Sequence, residues 1–277
     1  MGRARTIVVL AASLAALSLC GCSHATSAST TRSALPTPPT PPQAAQAFAV
    51  GEGGAILATS DGVHWKAERS GTHRLLGAIA FADPQHGWAV GERGTILATT
   101  DGGLSWQAQH EDVSSGTLSG VAAVDSQHAW AVGQDDKFRP VILATSDGGS
   151  TWSQQYSNAS TDDVSKVAFA NSTHGWAVLE SGSILATADG RHWHVQWRAA
   201  KNGRRWKPGV AFFGLACADA THVWAAGGYG AGEGNALMLA TTDGGRSWRV
   251  QSSKLPGGFL SVAASDTTHA WTTEAHQ

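Results

Sequence analysis

The segment TTDGGLSW at residues 99–106 recurs along this chain and decides its fold. Each copy has an Asp-Gly pair, with a tryptophan four or five residues after the aspartate. The five pairs are Asp61 with Trp65, Asp101 with Trp106, Asp147 with Trp152, Asp189 with Trp193, and Asp243 with Trp248. Successive aspartates lie 40, 46, 42 and 54 residues apart. Periods of about 40 to 50 residues are typical of propellers and repeat arrays.

A second marker has the same period. A His-x-Trp triplet begins at His86, His128, His174, His222 and His269, with gaps of 42, 46, 48 and 47 residues. Each copy contains four short apolar runs bounded by turn residues, and in the second copy they cover residues 76–81, 87–90, 95–100 and 105–109. Small sheets that are apolar on both faces pack face to face, and a ring does this without leaving long edges. We therefore predict an all-β chain, a β-propeller of about five four-stranded antiparallel blades.

The turn motif also has a known counterpart. Residues 99–106, 145–152 and 241–248 resemble the Asp-box, or BNR repeat, while residues 60–65 and 188–193 are one residue shorter. The aspartate can accept N–H bonds within its own loop, glycine takes the left-handed conformation, and tryptophan packs over the turn, so we interpret the motif as structural.

The boxes are paired with GWAVG and ILAT runs, and this combination resembles propellers of the photosystem II assembly and stability factor type over about residues 46–277. The resemblance implies a binding scaffold. Sialidases and sortilin ectodomains share only the Asp-box.

The predicted blades cover about residues 46–72, 73–113, 114–160, 161–200 and 208–256, with a partial copy at 257–277. The first copy starts at its second strand, so we expect the C-terminal run at residues 259–264 to complete it. Residues 270–273 are then surplus. They are either a loose tail on a five-bladed ring or part of an incomplete propeller of six or seven blades.

The N-terminus is typical of an export signal. Arg3 and Arg5 precede an apolar run at residues 7–19, which is too short for a transmembrane helix. The following Leu-Cys-Gly-Cys resembles a bacterial lipobox, with a leader at residues 1–21 and Cys22 as the lipid attachment site. Cleavage after Ala25, giving a secreted soluble protein, is the alternative.

Residues 22–45 are rich in Ser, Thr and Pro and are predicted to be a disordered linker. The prediction for location is therefore an extracytoplasmic, membrane-anchored bacterial lipoprotein.

Charge and cysteine content do not favour a nucleic-acid partner or a disulfide. The formal net charge is −2, which does not favour a nucleic-acid partner. With Cys22 lipidated, Cys217 has no partner for a disulfide, and its apolar surroundings predict a small buried side chain. No cofactor is expected.

The five repeated histidines do not predict a metal site. Equivalent points on adjacent blades lie on the order of 10 Å apart, whereas metal ligands approach to about 2 Å. Four of the five follow an aspartate three residues earlier, which indicates turn chemistry.

Interruptions of the repeat are the best candidates for function. Insertions at residues 135–140, 198–207 and 229–234 should emerge on one rim, opposite the Asp-boxes. The candidate binding residues on that rim are Lys137, Arg139, Arg204, Arg205, Trp206, Lys207, Tyr229 and Glu233. Arginine with aromatic residues suits an anionic or carbohydrate surface or a protein hot spot. Alternatively, these segments are merely longer solvated loops.

The sequence thus favours a non-enzymatic scaffold that binds an envelope protein or glycan. The alternative is a sialidase-like glycoside hydrolase, which needs three arginines, a tyrosine nucleophile with its glutamate, and an acidic aspartate at the ring axis. This chain has two tyrosines, and Tyr156 is predicted on an outer strand. Residues 138–140 resemble the arginine motif of those enzymes but lie after two Asp-boxes rather than before the first. No catalytic residue is assigned.

Overall fold

The computed structural model describes residues 9–12, 47–110, 116–160, 162–199, 209–229, 235–252 and 257–275. This part of the chain contains strands β1 to β22 and one 3-10 turn, Glu52–Gly54. None of its helices is long and apolar enough to cross a membrane.

The strands form successive antiparallel sheets in chain order. The first sheet contains β1 (Val9–Ala12), β2 (Ala47–Val50), β3 (Ile56–Thr59) and β4 (Lys66–Glu68). The second contains β5 (Leu76–Phe81), β6 (Gly87–Gly91), β7 (Ile96–Thr99) and β8 (Gln107–His110). The third contains β9 (Thr117–Ala123), β10 (Ala129–Gln134), β11 (Pro140–Thr145) and β12 (Ser153–Ser157).

The remaining sheets continue the pattern. The fourth contains β13 (Val164–Phe169), β14 (Gly175–Leu179), β15 (Ser183–Thr187) and β16 (His194–Arg198). The fifth contains β17 (Ala211–Cys217), β18 (Val223–Tyr229), β19 (Asn235–Thr241) and β20 (Arg249–Ser252). The sixth contains only β21 (Gly258–Ala264) and β22 (Ala270–Ala275).

The predicted strands of the second blade are confirmed, with ends displaced by at most two residues. The largest shift is at the fourth strand, which begins at Gln107. The backbone N–H of Ser105 is bonded to the Asp101 carboxylate, so this residue belongs to the turn.

Apolar side chains alternate between the two faces of each sheet and pack against both neighbours. In the second sheet, Trp88, Val90 and Ile96 pack towards the third. Ala89 and Leu97 pack towards the first. This alternation, repeated from sheet to sheet, builds the radial core of a β-propeller.

The first and last sheets are not formed as the sequence suggested. The expectation that residues 259–264 complete the first blade is wrong, because β21 pairs with β22 and packs against the fifth sheet through Phe259 and Val262. The inner edge of β2 pairs instead with β1, which lies within the segment predicted as a leader. Residues 270–275 are therefore not a loose tail but the second strand of an inner half-blade.

Apolar side chains are uncovered on the sixth sheet, which is only half a blade, and on the first sheet. Trp271 is 60% exposed, whereas Trp88, Trp130 and Trp176 at the equivalent position are 2% exposed. Leu57 in the first blade is 37% exposed, and its equivalent Leu97 is 2% exposed. Within the described residues, no apolar cluster joins the sixth sheet to the first.

Candidate functional site

The turns of the propeller gather on two rims. One, called the box rim here, holds the Asp-boxes and the turns between the first and second strands. Gly102 N–H donates to Gln85 O at 2.9 Å, and Gly148 N–H donates to Gln127 O at 3.0 Å, which joins the two kinds of turn.

The opposite one, the insertion rim, holds the turns between second and third strands and the links between blades. Gly94 N–H donates to Gly116 O at 2.8 Å, and Glu180 N–H donates to Asp163 O at 3.1 Å.

Each Asp-box aspartate is occupied by its own turn. Asp101 Oδ1 accepts the backbone N–H of Ser105 at 2.9 Å and the hydroxyl of Thr99 at 2.7 Å. Its Oδ2 accepts the Ser105 hydroxyl at 2.5 Å. These bonds, led by that of the Ser105 hydroxyl, lower the pKa of Asp101 to about 2. The same bonds recur around Asp147 and Asp243, so these carboxylates serve their hairpins.

The two short boxes use histidine where the long ones use a hydroxyl. His64 Nδ1 lies 2.7 Å from Asp61 Oδ2, and His192 Nδ1 lies 2.6 Å from Asp189 Oδ2. The contact with His64 holds the pKa of Asp61 well below its usual range. The sequence showed that these boxes are one residue shorter, but it did not show that a histidine takes the place of the hydroxyl.

The repeated histidines before each second strand take part in turns, as predicted. Asp83 Oδ1 accepts the backbone N–H of both Gln85 and His86, at 2.7 and 2.8 Å. His86 Nδ1 lies 2.8 Å from Asp83 Oδ2. No group of three or more His, Cys, Asp or Glu in the described residues is arranged to hold a metal ion.

The insertion at residues 135–140 is organised around a buried acid. Asp135 is 6% exposed, and its Oδ1 accepts the backbone N–H of Lys137 and of Arg139, both at 2.9 Å. Its Oδ2 contacts Arg139 Nε at 2.7 Å and Nη2 at 2.6 Å. Because the guanidinium is engaged with Asp135, Arg139 braces the loop as well as lining the rim.

Phe138 is the residue of this loop that the sequence reasoning missed. It is 63% exposed and adopts a left-handed φ of 58°, which is uncommon for a residue other than glycine. The bonds to Asp135 on both sides hold it in this conformation. The sequence signal for it was an aromatic residue between two charged residues within an insertion. Lys137 beside it is exposed.

Of the other candidate residues, only Tyr229 is among those that the structure describes. Tyr229 ends β18 in the fifth blade, where it is half-buried against the cluster that contains Phe212. It therefore does not share a blade with Lys137 and Arg139. Arg204, Arg205, Trp206, Lys207 and Glu233 lie outside the described residues, as does Cys22.

The innermost strands line the axis, where a glycosidase would need its charged groups. In β5, β9, β13, β17 and β21 the only charged side chain is Lys166. Burial lowers the pKa of Lys166. Tyr156 lies on the outermost strand of the third sheet, as predicted. Cys217 is partly buried, and burial raises the pKa of its thiol to about 12.

These observations define the class of protein: the chain is a BNR-type β-propeller with Asp-box turns. It resembles the photosystem II assembly factor. Residues 57–159 match the sequence profile of the family described as photosynthesis system II assembly factor YCF48. No curated protein sequence matches the chain significantly.

Solved structures support the same fold. YCF48 from Cyanidioschyzon merolae aligns with a TM-score of 0.59 and 17% identity, over 83% of this chain and 77% of that one. An ancestral GH74 enzyme aligns with a TM-score of 0.62 and 15% identity, over 83% of this chain but 33% of the enzyme. The structure of U3-55K aligns with a TM-score of 0.60 and 12% identity, over 79% and 67% of the two chains. At these identities the likeness shows the fold alone.

Proposed function

We propose that this protein is an exported, lipid-anchored, non-enzymatic propeller that binds an envelope protein or glycan through its insertion rim. The observation that carries the proposal is the Asp135 loop. A buried carboxylate fixes this loop from both sides and presents Phe138 and Lys137 to solvent. An exposed aromatic residue held rigidly beside a cation loses little conformational entropy on binding, which is a property of interface hot spots.

Two further points support a scaffold rather than an enzyme. The family with the matching profile is named as an assembly factor. In addition, the described innermost strands carry a single charged group, Lys166, whereas a sialidase-like site needs three arginines, a glutamate with its tyrosine, and an acidic aspartate at the ring axis.

The binding rim can be tested with matched variants. Phe138→Ser should abolish most capture of the partner from envelope extracts by the propeller. Leu104→Ser, which removes a 72% exposed apolar residue from the box rim, should leave capture unchanged. Equal capture by the parent and by Phe138→Ser would contradict the proposed rim, provided that both variants keep the parent circular dichroism spectrum.

Catalysis is tested separately. Turnover of a fluorogenic sialoside or aryl glycoside by the purified propeller, lost in Arg139→Ala, would establish the glycosidase alternative. We expect no turnover above that of buffer.

The anchor requires its own experiment. Cys22→Ser should move the protein from the membrane fraction to the soluble fraction and remove labelling by radioactive palmitate. Cys20→Ser is the control and should leave both unchanged. Persistent palmitate labelling of Cys22→Ser would show that Cys22 is not the attachment site.

A further inference from the structure

A groove of about 840 Å³ lies on the box rim between the third and fourth sheets. Its lining includes His128, Gln155, Thr173, Arg191 and His192. This volume is within the range of about 300 to 1,000 Å³ that small-molecule sites occupy. The groove lies on the rim opposite the Asp135 loop, so it is independent of the proposed insertion-rim site.

The short box of the fourth blade explains why the groove is here. At the boundary between the second and third sheets, the second glycine of the long box, Gly149, lies directly against Gln109 of the preceding blade. Gly245 lies against Gln196 in the same way. The fourth box has no second glycine, so the space that this residue fills elsewhere is left open.

The missing residue also changes the hydrogen bonds across the boundary. Trp130 Nε1 donates directly to Gly190 O at 3.1 Å, instead of to a glutamine. Gln155, which has the position of Gln109 and Gln196, accepts a bond from Trp193 Nε1 at 3.0 Å. The amide nitrogen of Gln155 then has no acceptor within the described part of the chain, and Gln155 lines the groove.

The groove contains free donors, but its only carboxylate is already bonded. Asp189 Oδ1 accepts the backbone N–H of Arg191 and His192, and its Oδ2 contacts the His192 ring. The guanidinium of Arg191 has no carboxylate partner among the described residues. An incoming anion would therefore meet the Arg191 guanidinium and the Gln155 amide as donors, while the oxygens of Asp189 are held by its own turn.

From this geometry we propose that the groove binds an acidic oligosaccharide. A uronate carboxylate pairs with Arg191, a sugar oxygen accepts from the Gln155 amide, and a sugar hydroxyl donates to Thr173 Oγ1, whose own hydrogen is bonded to Asn171 Oδ1. The walls favour a sugar over a peptide because they offer hydroxyl and amide groups and no exposed Trp, Phe or large aliphatic side chain on which a peptide side chain could pack. Trp130, the largest apolar residue of the lining, is only 2% exposed.

Isothermal titration calorimetry on the whole propeller tests the proposal. The probes are tetrasaccharides of galacturonate, alginate and hyaluronan, with cellotetraose as the neutral counterpart and penta-aspartate as the acidic peptide. We expect at least one uronate probe to bind with roughly tenfold or greater preference over cellotetraose and penta-aspartate. Absence of binding by all three uronate probes, or equal binding of penta-aspartate, would overturn it.

Variants then locate the site. Arg191→Gln should weaken uronate binding roughly tenfold or more, as expected for the loss of one charge-assisted bond. Arg246→Gln is the matched control, since Arg246 has the corresponding position in a long box, and it should bind as the parent does. Inserting a glycine after Gly190 rebuilds a long box and should abolish binding while the fold is retained. Equal binding by the parent, Arg191→Gln and the insertion variant would contradict the assignment of the groove.

Discussion

The indole Nε1 of Trp88 donates to Gln109 Oε1 at 3.1 Å, and the amide of the same glutamine donates to Gly148 O of the next blade at 2.9 Å. Gln109 lies at a register shift between β7 and β8, which turns its side chain towards the neighbouring sheet. Trp176, Gln196 and Gly244 repeat the arrangement at 3.2 and 2.8 Å. The glutamine therefore joins a core tryptophan to the following Asp-box.

Gln109→Leu should destabilise the propeller. The change leaves the buried indole N–H and the Gly148 carbonyl without partners, at a cost of about 2 kcal/mol. Urea denaturation followed by tryptophan fluorescence measures it. The control is Gln251→Leu in the fifth blade, because Gln251 is exposed and its side chain has no hydrogen bond within the described residues. That change should cost less than about 0.5 kcal/mol. Equal losses in the free energy of unfolding for the two variants would mean that the Gln109 hydrogen bonds do not contribute to stability.

Trp176→Ala should destabilise the propeller much more than Trp271→Ala, because Trp176 is covered by a neighbouring sheet and Trp271 is not. Trp176 is enclosed between the fourth and fifth sheets, and its removal should cost about 3 to 5 kcal/mol. Trp271 is exposed on the half-blade, so its removal should cost less than about 1 kcal/mol. Thermal denaturation of the two variants gives the comparison. A large loss from Trp271→Ala would indicate that this face is covered in solution.

Local patterns made the fold predictable. The Asp-box lies within one turn, and the His-x-Trp triplet joins one turn to the start of the next strand, so their common period of about 45 residues revealed the blades. The strands of the second blade follow from the turn residues that bound them. The insertion at residue 135 was visible because it interrupts the repeat.

The features that were not predicted depend on contacts between blades. Gln109 has no distinctive local pattern, since its direction comes from a register shift and its partners from two blades. The groove beside Gln155 follows from one missing residue in a turn that the sequence showed only as a shorter motif. The pairing of β21 with β22 matches the incomplete last blade that the sequence left as an alternative; the repeat could not decide between the two, because it does not specify which edge a terminal strand takes.

The Asp-boxes should make the propeller sensitive to acid. Hydrogen bonds within the turns lower the pKa of Asp101, Asp147 and Asp243 to about 2 from a usual 3.8. A lowered folded-state pKa contributes stability that is present above about pH 4 and lost as the pH falls towards 2. The thermal midpoint should therefore drop over this interval. Asp147→Asn should lower the midpoint at pH 6 and show a shallower drop between pH 4 and 2, and an unchanged pH profile would contradict this origin.

Asp163 should change the pH dependence of stability in the opposite direction. This residue directly precedes β13, the inner strand of the fourth blade, on the insertion rim, and its Oδ1 is buried without a hydrogen-bond partner among the described residues. Burial, with the nearby charges of Glu180 and Asp162, raises its pKa to about 6. Because the folded state holds this proton more tightly than the unfolded chain does, its contribution to stability is greatest below about pH 4. That contribution declines as the pH rises to about 6.

Asp163→Asn removes the charge and should therefore raise the thermal midpoint at pH 8 relative to the parent, with little gain at pH 4. Asp162→Asn is the comparison, because it keeps an oxygen that can accept the N–H of Ser181 and removes one of the lesser charges that raise the pKa of Asp163. That variant should raise the midpoint at pH 8 by less than Asp163→Asn does. Differential scanning calorimetry at the two pH values distinguishes the variants. A gain from Asp163→Asn that is equal at pH 4 and pH 8 would show that the buried charge is not its source.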